Sequence, residues 1–243
     1  MKKILSILLM AAMLICLCSC GDDSTGKEEK QKTSNSINIE DKWQVGNTVT
    51  FGTYPQTASG TDRTPIEWII LARDGDKALV ISKYALDAVP YNTKLTDVTW
   101  ETCSLRKWLN NDFYNKAFSV YEKRYIVTSK VTADKNPSFS TNPGNDTMDN
   151  VFLLSIPEAN QYFKDNSSRR CAPTDYAVKN GASTSGTMYK VGGRESCWWW
   201  LRSPGYSSLE AADVGIAVSD FGNYVHSSDY CVRPCVWVRL FYF

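Results

Sequence analysis

In the stretch PIEWIILARDGDKALVISKY, residues 65–84, Asp74-Gly75 interrupts two apolar segments rich in β-branched side chains. Asp-Gly accepts the left-handed backbone that a tight connection demands, so the stretch predicts an antiparallel β-hairpin. Just before it, WQVGNTVTFG predicts another short strand, entered through a Gly46-Asn47 turn. A chain that begins this way is committed to an antiparallel sheet.

The middle of the chain reads as helix and loop. SLRKWLNNDFYNKAF spaces Leu105, Trp108 and Leu109 at helical intervals. Ser119-Val120-Tyr121-Glu122 and Ser155-Ile156-Pro157-Glu158 both fit the Ser-x-x-Glu capping box, the second with a proline allowed in the first turn. Between them ADKNPSFSTNPGNDTMDN is a long polar loop, of the length that usually serves function or moves. The last third returns to β. CWWWLRS, AADVGIAV, NYVHSS and CVRPCVWVRL are strand-like, with Asp220-Phe221-Gly222-Asn223 expected as the turn between the second and third. Together they predict an antiparallel meander whose closing strand is bulged or at an edge because of Pro234.

The ends bound where such a domain works. Lys2 and Lys3 precede an apolar run from Ile4 to Leu17, too short for a spanning helix and right for an export signal. Leu17-Cys18-Ser19-Cys20 resembles a lipobox, so residues 1–19 are expected to be a lipoprotein signal peptide and Cys20 the lipidated residue that anchors the chain to a bacterial membrane. Residues 20–42 are polar and charged with little to bury, hence a disordered tether. Residues 43–243 suffice for one core and one domain, facing outside the cytoplasm. The chain has 27 Lys and Arg against 26 Asp and Glu; without Lys2 and Lys3 the balance is 25 against 26, which gives no electrostatic case for nucleic acid. Beyond Cys20 five cysteines remain, at 103, 171, 197, 231 and 235; an odd number leaves at least one thiol unpaired or bridging chains.

FGTYPQ, PIEWIIL, ALVISKYALD, TWETCSLRKWLNNDFYNKAF, VFLLSIPEAN, CAPTDYA, CWWWLRSPG, AADV and VRPCVWV, in that order, resemble a domain of unknown function common in exported and surface proteins of gut-associated bacteria. The ending, a tryptophan-rich strand with Leu-Arg-Ser, small polar hairpins and then Val-Arg-Pro before an apolar strand, is similar to that of C-type-lectin-like and sulfatase-modifying-type folds. The resemblance implies an α+β, C-type-lectin-like mixed fold with a mainly antiparallel sheet, a few short helices and long loops. It also implies C-terminal loops that display a ligand site. Sulfatase-modifying oxidases bind copper through two thiolates. Extended backbone would hold Cys231 and Cys235 roughly 13 Å apart, beyond a shared metal, so a disulfide from Cys197 to one of them is the better expectation.

Catalytic templates are absent: there is no His-Glu-x-x-His, P-loop, Gly-x-Ser-x-Gly or Cys-x-x-Cys, and the single histidine, His226, lies among serines with no partner in view. No catalytic set and no cofactor are assigned. Asp134, Asp146 and Asp149 with Asn136, Asn142 and Asn145 could offer calcium its oxygens, but turn formation explains the same composition. Alternation divides residues 197–202 between two faces. Cys197, Trp199 and Leu201 are assigned to the core, and Arg233 and Trp237 to structural roles on the closing strand, where Arg233, Trp237 and Arg239 share a face. Trp198, Trp200 and Arg202 form an amphipathic face that is either a minor core under loops or a half-open stacking platform. Tyr206, Asp220, Phe221, Asn223, Tyr224, His226, Asp229 and Tyr230 supply the tyrosine and small-polar mixture that adaptable binding loops use. The expected function is a lipid-anchored surface module binding a glycan or protein. A thiol-metal oxidase, a hydrolase and a scaffold without a ligand are the alternatives.

Overall fold

A computed structural model describes residues 39–186 and 188–240. The expected leader, Cys20 and the expected tether up to residue 38 lie outside the described residues; Ile39–Lys42, expected in the same disordered tether, form one short helical turn instead. Among those described, no helix is long and apolar enough to cross a membrane. Its strands are β1 (Thr48–Tyr54), β2 (Thr64–Asp74), β3 (Lys77–Ser82), β4 (Asp87–Ala88), β5 (Ile126–Val127), β6 (Ser129–Val131), β7 (Thr147–Asp149), β8 (Lys190–Val191), β9 (Arg194–Glu195), β10 (Trp199–Pro204), β11 (Glu210–Val214), β12 (Val218–Tyr224), β13 (Cys231–Val232) and β14 (Cys235–Arg239). Two five-stranded sheets carry the architecture, ordered β1-β2-β3-β14-β5 and β12-β11-β10-β13-β4. With short helices between them the fold is mixed α+β.

The hairpin at residues 64–82 forms as expected, with its register closing at Asp74 opposite Lys77, so Gly75-Asp76 is the connection. Gly75 has φ +57°, the left-handed backbone that glycine takes without cost. Alternate residues of β2 bury Ile66, Trp68 and Ile70, and the Trp68 ring stacks on Phe51 of β1 at 5.0 Å. The Ser155 capping box forms. Ser155 accepts from the Glu158 amide while Glu158 accepts from the Ser155 amide at the head of helix Ile156–Tyr162. Ser119 and Glu122 exchange the same pair of bonds ahead of a 3-10 turn, without capping a helix.

Three expectations for the last third need correction, the first being the antiparallel meander, which holds for β10, β11 and β12 while β13 joins β10 in parallel. The closing segment is not one strand: β13 pairs with β4 and β10, and β14 pairs with β3 and β5 in the other sheet. Arg233-Pro234 is the crossing, where proline's lack of a donor costs no ladder bond. Arg233 therefore leaves the face shared by half-buried Trp237 and exposed Arg239, and it is buried. Asp220–Asn223 is not a turn either, since all four residues lie inside β12. The reversal occurs at Gly215–Ala217. Gly222, at φ +77°, sits where the β11–β12 register shifts, and a Cβ there would meet the Ala211 carbonyl oxygen at 2.3 Å. In sequence, a bulge glycine and a turn glycine look alike.

The polar loop after β6 is fastened to the hairpins. Asn136 Nδ2 donates to the carbonyls of Pro204 (2.8 Å) and Asp220 (2.7 Å), and Thr141 Oγ1 to those of Gly205 (2.9 Å) and Tyr206 (2.8 Å).

Candidate functional site

The tryptophan run is resolved by what lies across from each residue. Trp199 is fully buried, with Cys197 and Leu201 on the same core face. The Arg233 guanidinium lies 5.1 Å from the Trp199 ring and donates to the Ser82 carbonyl at 3.0 Å, the structural role expected of it. On the opposite face Trp200 stands across from Asp213, and Asp213 across from Ser219, so three strands present these side chains side by side.

Trp200 is not at a half-open surface; it is fully buried. Tyr230 stacks over its ring at 4.3 Å, Tyr91 meets it edge-on at 5.8 Å, and its indole N–H donates to the Val89 carbonyl at 3.1 Å. Arg202 is buried as well, with a side chain 2% exposed. Its guanidinium bonds Asp134 at 2.8 Å, both oxygens of Glu158, and the carbonyls of Leu153 and Thr132. Neither residue can meet a ligand, because loops cover this end of the strand on its second face too.

Beside Tyr230 an open cleft of about 460 Å³ remains. Trp198, Asp213, Gly215, Ser219, Asp220 and Tyr230 line it. Trp198 is half-buried, and its indole edge rests on Gly215, where a Cβ would come within 2.3 Å of Cδ1 and Nε1. Its indole N–H meets no acceptor among the described residues. Tyr230 is held from the side by Asn223, whose Nδ2 donates to the phenol oxygen at 2.7 Å. Burial, with Asp213 and Asp229 nearby, pushes the phenol up to about 12. Asp220 accepts from the Ser138 hydroxyl.

Asp213 is the residue that sequence reading missed. It is 4% exposed, and among the described residues its carboxylate meets neither a hydrogen-bond donor nor a cation. Desolvation alone pushes it up to about 7. The available signal was an acid within the otherwise apolar AADVGIAV, a charge placed where charges are seldom buried unpaired. Because the folded chain holds this proton more tightly than the unfolded chain, the contribution of Asp213 to stability falls as pH rises from about 4 to about 7 and is constant above. Asp213→Asn is expected to remove that part of the slope and to be more stable than the parent above pH 7 by roughly 2–4 kcal/mol, the two converging near pH 4. Urea denaturation of both proteins from pH 4 to 8 checks this, and a constant difference across the range contradicts it.

The other sequence-selected residues divide by location. Tyr206 and Phe221, each 56% exposed, stack at 5.0 Å with Phe139 set edge-on to both. This aromatic patch borders a second groove lined by Thr141, Asn142 and Ser207. Tyr224 and His226 are exposed, their rings 6.1 Å apart. Asp229 accepts from the Ser183 hydroxyl at 2.9 Å, a loop contact.

The carboxylates of the 133–150 loop are engaged by protein: Asp134 by Arg202, Asp146 by Lys130 at 2.9 Å, and Asp149 by Arg106 at 2.7 Å and the Trp100 indole at 2.9 Å. Among the described residues no group of three His, Cys, Asp or Glu is placed to hold a metal ion. The disulfide expected from Cys197 is not formed, and the five described cysteines are free and buried. The Cys197 thiol donates to the Cys171 carbonyl at 3.4 Å. Burial raises the Cys171, Cys197 and Cys235 thiols, which favours the protonated form over the thiolate that a copper site needs.

No match is found among curated proteins or among solved structures. The model of a family described as a domain of unknown function, DUF6273, matches residues 75–240, and the chain belongs to that family.

Proposed function

We propose that the protein is a lipid-anchored, extracytoplasmic binding module of C-type-lectin-like type that takes a glycan in the Trp198–Asp213–Tyr230 cleft. The leader and lipobox-like Cys20 support the anchor. The second sheet, with its tryptophan-rich strand and polar hairpins, supports the lectin-like assignment. The observation that carries the binding reading is the cleft itself. It sets two aromatic side chains beside a carboxylate and an indole N–H that have no partner among the described residues. A polyol offers hydroxyls that both donate and accept, together with C–H faces that pack on rings, so it satisfies all three at once.

Trp198→Ala is expected to abolish binding in a glycan array and to shift the melting temperature by only a few degrees, because Trp198 is half-buried. A variant that keeps its array signal removes the cleft from consideration, and an array empty for the parent domain removes the glycan.

A further inference from the structure

Asp213 is more than nine-tenths buried, has no partner among the described residues and points into the cleft. Leaving a carboxylate in that state costs the fold stability, which a ligand of opposite charge would return. The charged residues lining the cleft are Asp213 and Asp220; no Lys, Arg or His lines it. Its ring surfaces come from Tyr230 and Trp198, and the negative face of an aromatic ring also attracts cations. The orphan acid, a second acid beside it and the aromatic walls thus share one complement.

We propose that the cleft binds a protonated amine, its ammonium donating to the Asp213 carboxylate and its carbon skeleton lying against Trp198 and Tyr230. The inference rests on the binding reading above and narrows it, since the glycan becomes one that carries a free amino group. Ammonium on a sugar ring and ammonium on an alkyl chain, such as a lysine side chain, share this chemistry. With the acid pushed up to about 7, protonated and ionised forms share the empty cleft near neutral pH, and a bound ammonium draws it fully into the ionised form. Cation and carboxylate then make a charge-assisted hydrogen bond.

The test titrates the signal-free domain with glucosamine, N-acetylglucosamine, n-butylamine and n-butanol while following the Trp198 indole N–H resonance. Glucosamine or n-butylamine is expected to shift that resonance at millimolar concentration, with the N-acetyl sugar and the alcohol at least tenfold weaker. Response to glucosamine alone assigns the amine to a saccharide; equal response to n-butylamine assigns recognition to the ammonium itself. Asp213→Asn, which a thermal melt should show folded, is expected to lose the amine response at least tenfold. N-acetylglucosamine binding as tightly as glucosamine overturns the ammonium proposal and leaves the glycan reading standing. Silence from both amines, or an undiminished response in Asp213→Asn, also overturns it, whatever the glycan array shows.

Discussion

Arg202→Met is expected to lose about 3–5 kcal/mol of folding stability, the cost of leaving buried charge without its counter-ion. Arg202 bonds Glu158 and Asp134, which lie 44 and 68 residues from it in sequence, so a single guanidinium joins the tryptophan strand to a helix and a loop. Glu158 also completes the capping box of helix Ile156–Tyr162, and its Oε2 accepts both from the Ser155 amide and from Arg202. Methionine preserves much of the side-chain volume, so the loss reports charge and hydrogen bonding rather than a void. In a domain of this size the melting temperature should fall by about 6–20 °C. Glu158→Gln in the Arg202→Met background should recover part of the loss, because it removes one of the stranded charges. A cycle showing no coupling between the two positions would falsify the assignment.

Trp200→Ala should be as damaging, again about 3–5 kcal/mol, through the cavity left by a fully buried indole. The loss removes the floor under Tyr230 and the edge contact with Tyr91, and it leaves the Val89 carbonyl without its donor. Trp198→Ala, two positions earlier, should be nearly silent in the same denaturation experiment and decisive in binding. Stability and binding are thus expected to separate between two tryptophans that alternation assigns to one face. If Trp200→Ala unfolds at the parental urea midpoint, the burial described for that ring is wrong.

That contrast shows how far the sequence could be read. Local chemistry was legible wherever the determining residues were neighbours in the chain: the residue 64–82 hairpin, the Ser155–Glu158 cap and the core assignment of Cys197, Trp199 and Leu201. Alternation correctly separated two sets of side chains. It could not say what covers the second set, because Tyr230, Asp134 and Glu158 arrive from distant segments. The same limit hid Asp213, whose isolation depends on which groups fail to reach it. Pro234 was read as a local irregularity of one strand, when it is the point at which the chain changes sheets. For Gly222 the ambiguity was conformational, as the positive φ it supplies serves a bulge as readily as a reversal.

The passage from β13 to β14 has a consequence for when the molecule can form. Residues 231–239 supply the strand that joins β4 to β10 in one sheet and the strand that joins β3 to β5 in the other. No nascent chain that stops short of Cys231 contains either sheet complete. Most pairings that close the domain span long sequence separations, which slows folding. Completion of both sheets therefore waits for residues 231–239, and until they are made the two halves of the β structure cannot be locked together.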